Sequence, residues 1–190
     1  MKLIGVSGKK GTGKDTFFQM LESCSDVPVY RLAFADVLKD EVYEAILKPD
    51  GLSRSMLDDV NTKEQFRILL QWWGTEYRRR LFRDDYWLVA LSKKIEQYQN
   101  EDAIVVITDI RFPNEFEYIK SLGGHMVRIA RPDLNQSGDA HFSETALDNE
   151  ENFDTFIDNN GSLEQFKAIV ETYYASGEIS TPKKIVSVAR

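Results

Sequence analysis

Gly8-Lys9-Lys10-Gly11-Thr12-Gly13-Lys14-Asp15-Thr16 is the stretch whose reading decides the fold. Its glycines permit tight turns, so that successive backbone N–H groups can face a polyphosphate. Lys14 adds a point charge for the phosphates, and a helix opening just after it adds a favourable dipole. The flanks agree with this. Lys2 to Ser7 reads as a short buried strand on Leu3, Ile4 and Val6. Asp15 to about Glu22 has helical spacing, with Phe17, Phe18 and Leu21 forming an apolar stripe. Strand, glycine loop and helix together predict a nucleotide-phosphate site on an α/β sheet. A glycine-rich surface turn is the alternative, and the spacing argues against it.

Further along, Val27 to Leu32 is expected to be a strand, and Ala35 to Leu47 a helix on Leu38, Val42 and Ile46. Ser53 to Asn61 is expected to be a connector. Thr62 is read as a helix cap with Gln65 in the capping-box place, Gly74 as an interruption, and Asp84 or Asp85 as the start of a helix to about Tyr98. Ala103 to Thr108 is a continuous β-branched run ending in Asp109, as a central parallel strand requires. Asn114 to Ser121 follows as a helix, His125 to Ala130 as a strand, and Phe153 to Ile157 as a short last strand. Ser162 with Gln165 caps a final helix. Pro132 to Gly138 is a polar loop, and Lys183 to Arg190 a basic tail.

The chain has 190 residues, 42% of them hydrophobic and 29% charged, which is enough for one substantial core and excludes collagen-like or wholly disordered classes. Its net charge of −7 argues against coating a nucleic-acid duplex, so no direct nucleic-acid binding is expected. Cys24 is the only cysteine, so no intrachain disulfide or cysteine-rich zinc site can form. No apolar run approaches the ~20 residues of a membrane span, and Met1 to Val6 is too short for a signal peptide. A protein of a reducing compartment with no membrane partner is expected.

Several side chains are candidates for chemistry. The usual phosphate loop has Ser or Thr after its lysine to hold magnesium. Asp15 stands there instead, and a carboxylate is also a hard magnesium ligand, while Thr16 can supply a hydroxyl. Asp109 at a strand's carboxyl end is read as holding a metal's shell; capping the helix after Pro113 is the competing reading. Phosphoryl transfer needs cations on the moving charge, and Arg78, Arg111 and Arg131 are the arginines selected for that role. Arg80 and Arg83, beside Asp84 and Asp85, read as a solvated face. Asp36 either orients an acceptor oxygen or caps the Val37 to Leu47 helix. Trp72, Trp73, Tyr77, Tyr86 and Trp87 are weighed as base-stacking candidates against core packing, which is the commoner use. His125 reads as structural and His141 as a weak catalytic candidate.

The order of the motifs resembles the deoxynucleoside monophosphate kinases of tailed bacteriophages. The resemblance rests on Gly8 to Thr16, Phe34-Ala35-Asp36, Leu70-Gln71-Trp72-Trp73-Gly74-Thr75-Glu76, Asp85-Tyr86-Trp87 and the run from Val106 to Glu115. Arg128 to Pro132, His141 to Glu144 and Asn159 to Leu163 extend it over about residues 1–170. In that family an aspartate follows the loop lysine, so Asp15 fits. The resemblance implies a three-layer α/β phosphate-loop fold of the nucleoside monophosphate kinase kind, with a central parallel sheet and a helical substrate-side insertion. It implies one kinase domain over residues 1–176, a helical region over about 50–98, and a tail at 177–190.

The implied activity is transfer of the terminal phosphoryl of ATP, with Mg²⁺, to a deoxynucleoside monophosphate, in the service of phage DNA precursors. The implied location is cytoplasmic, in the bacterial host if the chain is phage-encoded, and a homodimer is compatible with related kinases. The nucleotide-binding role falls on Gly8, Lys10, Gly11, Thr12, Gly13, Lys14, Asp15 and Thr16, with Asn159 and Gly161 near the adenine. The metal role falls on Asp15, Thr16 and Asp109. The substrate-side role falls on Asp36, Arg78, Arg111, Asn114, Glu115 and Arg131, the acceptor lying between Arg31 or Asp36 and the central helices. The middle helices and the loop after Arg131 are expected to close over it. A phosphate-loop kinase for another small acceptor, such as dephospho-coenzyme A or phosphomevalonate, is the first rival. A non-kinase ATP-binding protein is the second.

Overall fold

The computed structural model describes residues 1–131 and 145–177. His141, the expected loop at Pro132 to Gly138 and the basic tail lie outside the described residues. The chain divides into two compact units, one built of Met1–Leu32 with Lys94 onwards, the other of Ala33–Lys93.

The first unit is a sheet with helices on both faces. Strands β1 (Lys2–Ser7), β2 (Val29–Leu32), β3 (Ile104–Ile110), β4 (His125–Ala130) and β5 (Thr155–Asp158) lie in the order β2-β3-β1-β4-β5. All four pairings are parallel. The strands alternate as a two-sided sheet must. Ile4, Val6, Ile104, Val106, Val127 and Ile129 face one core, where Phe17 and Leu21 of α1 (Lys14–Cys24) meet Phe166, Val170 and Tyr173 of α6 (Leu163–Ala175). On β1 and β4 packs α5 (Pro113–Ser121), whose Phe116 and Ile119 are fully buried. The Met126 side chain lies against the bare backbone of Gly5, where a Cβ would stand 2.5 Å from its sulfur.

Helix termini follow local chemistry. Ser162 Oγ accepts from the Gln165 N–H while the Gln165 side chain accepts from the Ser162 N–H, the expected capping box. At α5, Pro113 opens the helix and the buried Glu115 carboxylate reaches back to the N–H groups of Arg111 and Phe112. Phe112 is therefore the cap residue, and the reading of Asp109 as that helix's cap is overturned. The strand also continues one residue past Asp109, to Ile110, because Ile110 still pairs with Ser7.

The second unit is helical. It comprises α2 (Phe34–Val42) with a widened last turn over Tyr43–Leu47, short 3₁₀ turns at Arg54–Leu57 and Lys63–Phe66, α3 (Arg67–Gln71), a π-helix over Trp72–Phe82, and most of α4 (Tyr86–Glu96). Its core is Val42, Leu47 and Leu57, with Leu38, Ile46, Phe66, Leu69, Leu70 and Trp73 packed around them. Three expectations fail here. Thr62 Oγ1 donates to the Met56 carbonyl instead of capping. α2 starts at Phe34, so Asp36 lies in its first turn and is not its cap. Gly74 does not interrupt the helix: it lies inside the widened segment, where its small size admits Leu38 and its carbonyl accepts the Trp87 indole N–H at 2.9 Å. Among the described residues no helix is long and apolar enough to cross a membrane.

Candidate active site

The parallel sheet fixes where the loops meet. Ser7 is level with Ile110 on one side and with Arg128 on the other, and Ala130 is level with Asp158. Gly8–Gly13 after β1, Asp109 and Arg111 at the end of β3, Arg131 after β4, and Asn159 and Gly161 after β5 therefore share the sheet's carboxyl edge. That is the edge where open α/β sheets bind ligands.

The loop is held from within and from β5. Thr12, almost fully buried, donates through Oγ1 to the Lys9 carbonyl at 2.9 Å. Lys14 Nζ crosses the loop to the carbonyls of Gly8 and Lys9 at 2.6 and 2.8 Å. The buried Asn159 donates its amide to the Thr12 carbonyl at 2.9 Å, and its own N–H to Ala130. Gly13 has φ 102 and begins α1 with no side-chain cap. A Cβ on Gly13 would stand 2.5 Å from the Asn159 amide nitrogen, and one on Gly8 would collide with the Ile129 carbonyl. The loop thus exists as a backbone cradle only with glycine at these places. Gly161 has a more local reason, since a Cβ there would strike the Gln165 carboxamide that caps α6.

Charge gathers around this cradle. Ser7, Gly8, Lys9, Arg111, Arg128 and Leu147 line a pocket beside it. In the sequence Arg128 is one of many arginines; here it donates to Ser7 Oγ at 3.3 Å and to Asp148 at 3.2 Å, over the Phe153 ring. Asp148 also pairs with Lys9 at 3.2 Å, so a carboxylate sits among cations suited to phosphate. Asp15 is mostly exposed and lies 3.6 Å from the Arg31 guanidinium. Asp109 is half-buried and Arg131 exposed.

These residues fit a nucleotide polyphosphate with magnesium. The cradle and the uncapped helix start suit phosphate oxygens. Among the described residues no group of three or more His, Cys, Asp or Glu side chains can hold a metal. Asp15, Thr16 and Asp109 are the residues here that would hold a magnesium, which commonly keeps phosphate and water oxygens as its other ligands.

Of the predicted substrate-side residues, Asn114 and Glu115 lie in the first turn of α5, and Asp36 and Arg78 belong to the helical unit. Glu41 is the residue missed there. Its carboxylate accepts from the Trp73 indole at 2.8 Å, Arg78 Nε at 2.5 Å and the Tyr86 hydroxyl at 2.7 Å. The Arg78 guanidinium lies 4.7–5.0 Å from the ring centres of Tyr77, Phe82 and Tyr86. In the π-helix, residues five apart stand over one another, so Trp72 stacks on Tyr77 at 5.5 Å and Tyr77 meets Phe82 at 5.1 Å. Trp87 is buried structure, as are Arg79, bonded to the Asp84 carbonyl, and His125, bonded to Thr155. Arg80 and Arg83 pair with Glu76 and Asp85, as a solvated face should.

Comparison with known proteins agrees with this geometry. Residues 50–170 match the family model described as deoxynucleotide monophosphate kinase. A putative deoxynucleotide monophosphate kinase of Acanthamoeba polyphaga mimivirus is 33% identical over 87% of this chain and 92% of its own length. The deoxynucleotide monophosphate kinase of Escherichia phage RB69 is 30% identical over 66% of this chain and 51% of its own. Among solved structures, TT1252 of Thermus thermophilus superposes with a TM-score of 0.51 at 17% identity, covering 95% of this chain and 98% of that one, a likeness of fold alone. With its phosphate cradle at the sheet's carboxyl edge and a near full-length relative of the same kind, the chain belongs to the deoxynucleotide monophosphate kinase family.

Proposed function

We propose that the chain transfers the terminal phosphoryl group of ATP to a deoxynucleoside monophosphate, giving ADP and the deoxynucleoside diphosphate. The observation that carries this is the phosphate cradle of Gly8 to Thr16, held by Asn159 and set beside Asp109, in a chain of this family. The cradle's N–H groups and Lys14 bind the donor's phosphates. Magnesium, when bound, supplies charge neutralisation at the donor's β and γ oxygens.

An oxygen of the acceptor phosphate attacks the γ phosphorus, and the bond from that phosphorus to the β–γ bridging oxygen breaks, leaving ADP. A monophosphate's second pKa lies near about 6, so the attacking oxygen is already ionised and needs no strong general base. Position and cations therefore carry the rate. Lys14, Arg111 and Arg131 are assigned to the moving charge. Arg78 is assigned to the acceptor phosphate, and Asp36 to orienting the acceptor. The net charge of −7 supports small nucleotides over a duplex as partners.

The test is coupled formation of ADP and diphosphate from ATP–Mg²⁺ with dAMP, dGMP, dCMP, dTMP and their ribose counterparts. Turnover of deoxy acceptors is expected. Turnover of dephospho-coenzyme A or phosphomevalonate, with none of any nucleotide, would overturn the reading in favour of another acceptor.

A further inference from the structure

We propose that Glu41 is the positioning residue for the acceptor, acting through Arg78, a role that rests on the assignment of Arg78 to the acceptor phosphate. Glu41 is not itself placed against substrate. Both its oxygens are committed, Oε1 to Trp73 and Arg78 and Oε2 to Tyr86. It is also largely covered, with a side-chain exposure of 22%.

The consequence falls on Arg78. Its Nε is bonded to Glu41, and its planar group is packed among Trp73, Tyr77, Phe82 and Tyr86. Among the described residues that Nε bond is the only hydrogen bond Arg78 makes, which leaves both Nη groups to donate elsewhere. Two parallel Nη donors on a fixed plane match two oxygens of a phosphate. An arginine without such packing would lose rotamer freedom on binding; this one has lost it on folding. The Tyr86 hydroxyl supports the arrangement, because burial first and its bond to Glu41 second raise its pKa, keeping it a donor at neutral pH. Glu41 thus sets the plane in which Arg78 offers its donors.

The experiment is steady-state kinetics on Glu41→Gln, Arg78→Ala and the double variant, with ATP and dNMP varied separately. Glu41→Gln is expected to raise the dNMP KM roughly tenfold with little change in the ATP KM. In the Arg78→Ala background the same change is expected to add almost nothing, since the two act as one unit. Tyr86→Phe removes a single bond to Glu41 and is expected to raise the dNMP KM by a smaller factor in the same direction. It serves should Glu41→Gln fail to fold.

A Glu41→Gln effect that persists undiminished without Arg78, or that falls equally on ATP and dNMP, overturns the role. If Arg78→Ala raises the dNMP KM and neither Glu41→Gln nor Tyr86→Phe does, Glu41 is a structural residue and the assignment of Arg78 stands. If Arg78→Ala itself leaves the dNMP KM unchanged, the acceptor assignment fails and the role of Glu41 with it.

Discussion

Under the proposed function the sheet unit and the helical unit each offer groups to phosphate, but by different means. In the sheet unit the cradle is main chain: N–H groups of a glycine loop, set by strand register and held by Thr12, Lys14 and Asn159. In the helical unit the prepared group is a side chain, Arg78, held by Glu41 and a set of rings. The difference teaches where tolerance lies. A backbone cradle fails when a Cβ is added, whereas a side-chain clamp fails when a partner is removed.

Four substitutions break or sharpen that contrast. The largest effect is expected from Lys14→Ala, a loss of about 10²–10³-fold in turnover with the fold retained, checked by kinetics beside circular dichroism. Turnover near that of the parent would remove the cradle from the chemistry. Next is Arg78→Ala, expected to raise the dNMP KM by about 10–100-fold while the ATP KM moves little, which would separate the two units by substrate. Equal changes in both constants would erase the distinction.

Asn159→Ala comes third. It leaves the buried Thr12 carbonyl without its donor and is expected to cost about 1–3 kcal/mol in thermal or urea unfolding, with weaker ATP binding. Stability loss with unchanged ATP affinity would mean the cradle keeps its shape without β5. The smallest effect concerns acid. Burial pushes the Asp58 carboxyl up, but its bonds to Lys39 and Arg54 outweigh this and hold it below the usual range. The folded form thus binds that proton less readily than the unfolded chain. The stabilisation is full above the ordinary carboxylate value of about 3.9 and is lost as pH falls through the depressed one. Asp58→Asn is expected to flatten the acid limb of the stability curve, by no more than about 1 kcal/mol for so exposed a pair. An unchanged limb would remove these pairs from the helical unit's support.

Much of the sheet unit is legible in the sequence because its rules are local. Short continuous apolar runs, the glycine loop, Pro113 at a helix start and Ser162 with Gln165 each act within a few residues. The misses have equally physical causes. Thr62 has the sequence context of a cap, yet its hydroxyl bonds the Met56 carbonyl, a competing local bond of the kind Ser and Thr readily make. Gly74 is a helix breaker by intrinsic propensity, while packing against Leu38 and the bond from Trp87 keep the helix running through it. Glu41 carries no signal at all, as an acidic residue beside the apolar stripe of an amphipathic helix reads as solvated surface.

The sequence by itself determined the phosphate loop, the parallel strands and the family, because these depend on near-neighbour chemistry and on motifs in order. Only the tertiary structure decided which distant groups share an edge or a bond. Asn159 reaches a loop 147 residues earlier, and Glu41 gathers Trp73, Arg78 and Tyr86. The widened helix stacks Trp72, Tyr77 and Phe82 at five-residue steps, a period that α-helical spacing does not anticipate. Such contacts arise from strand register, helix winding and side-chain packing, which no local run of residues encodes.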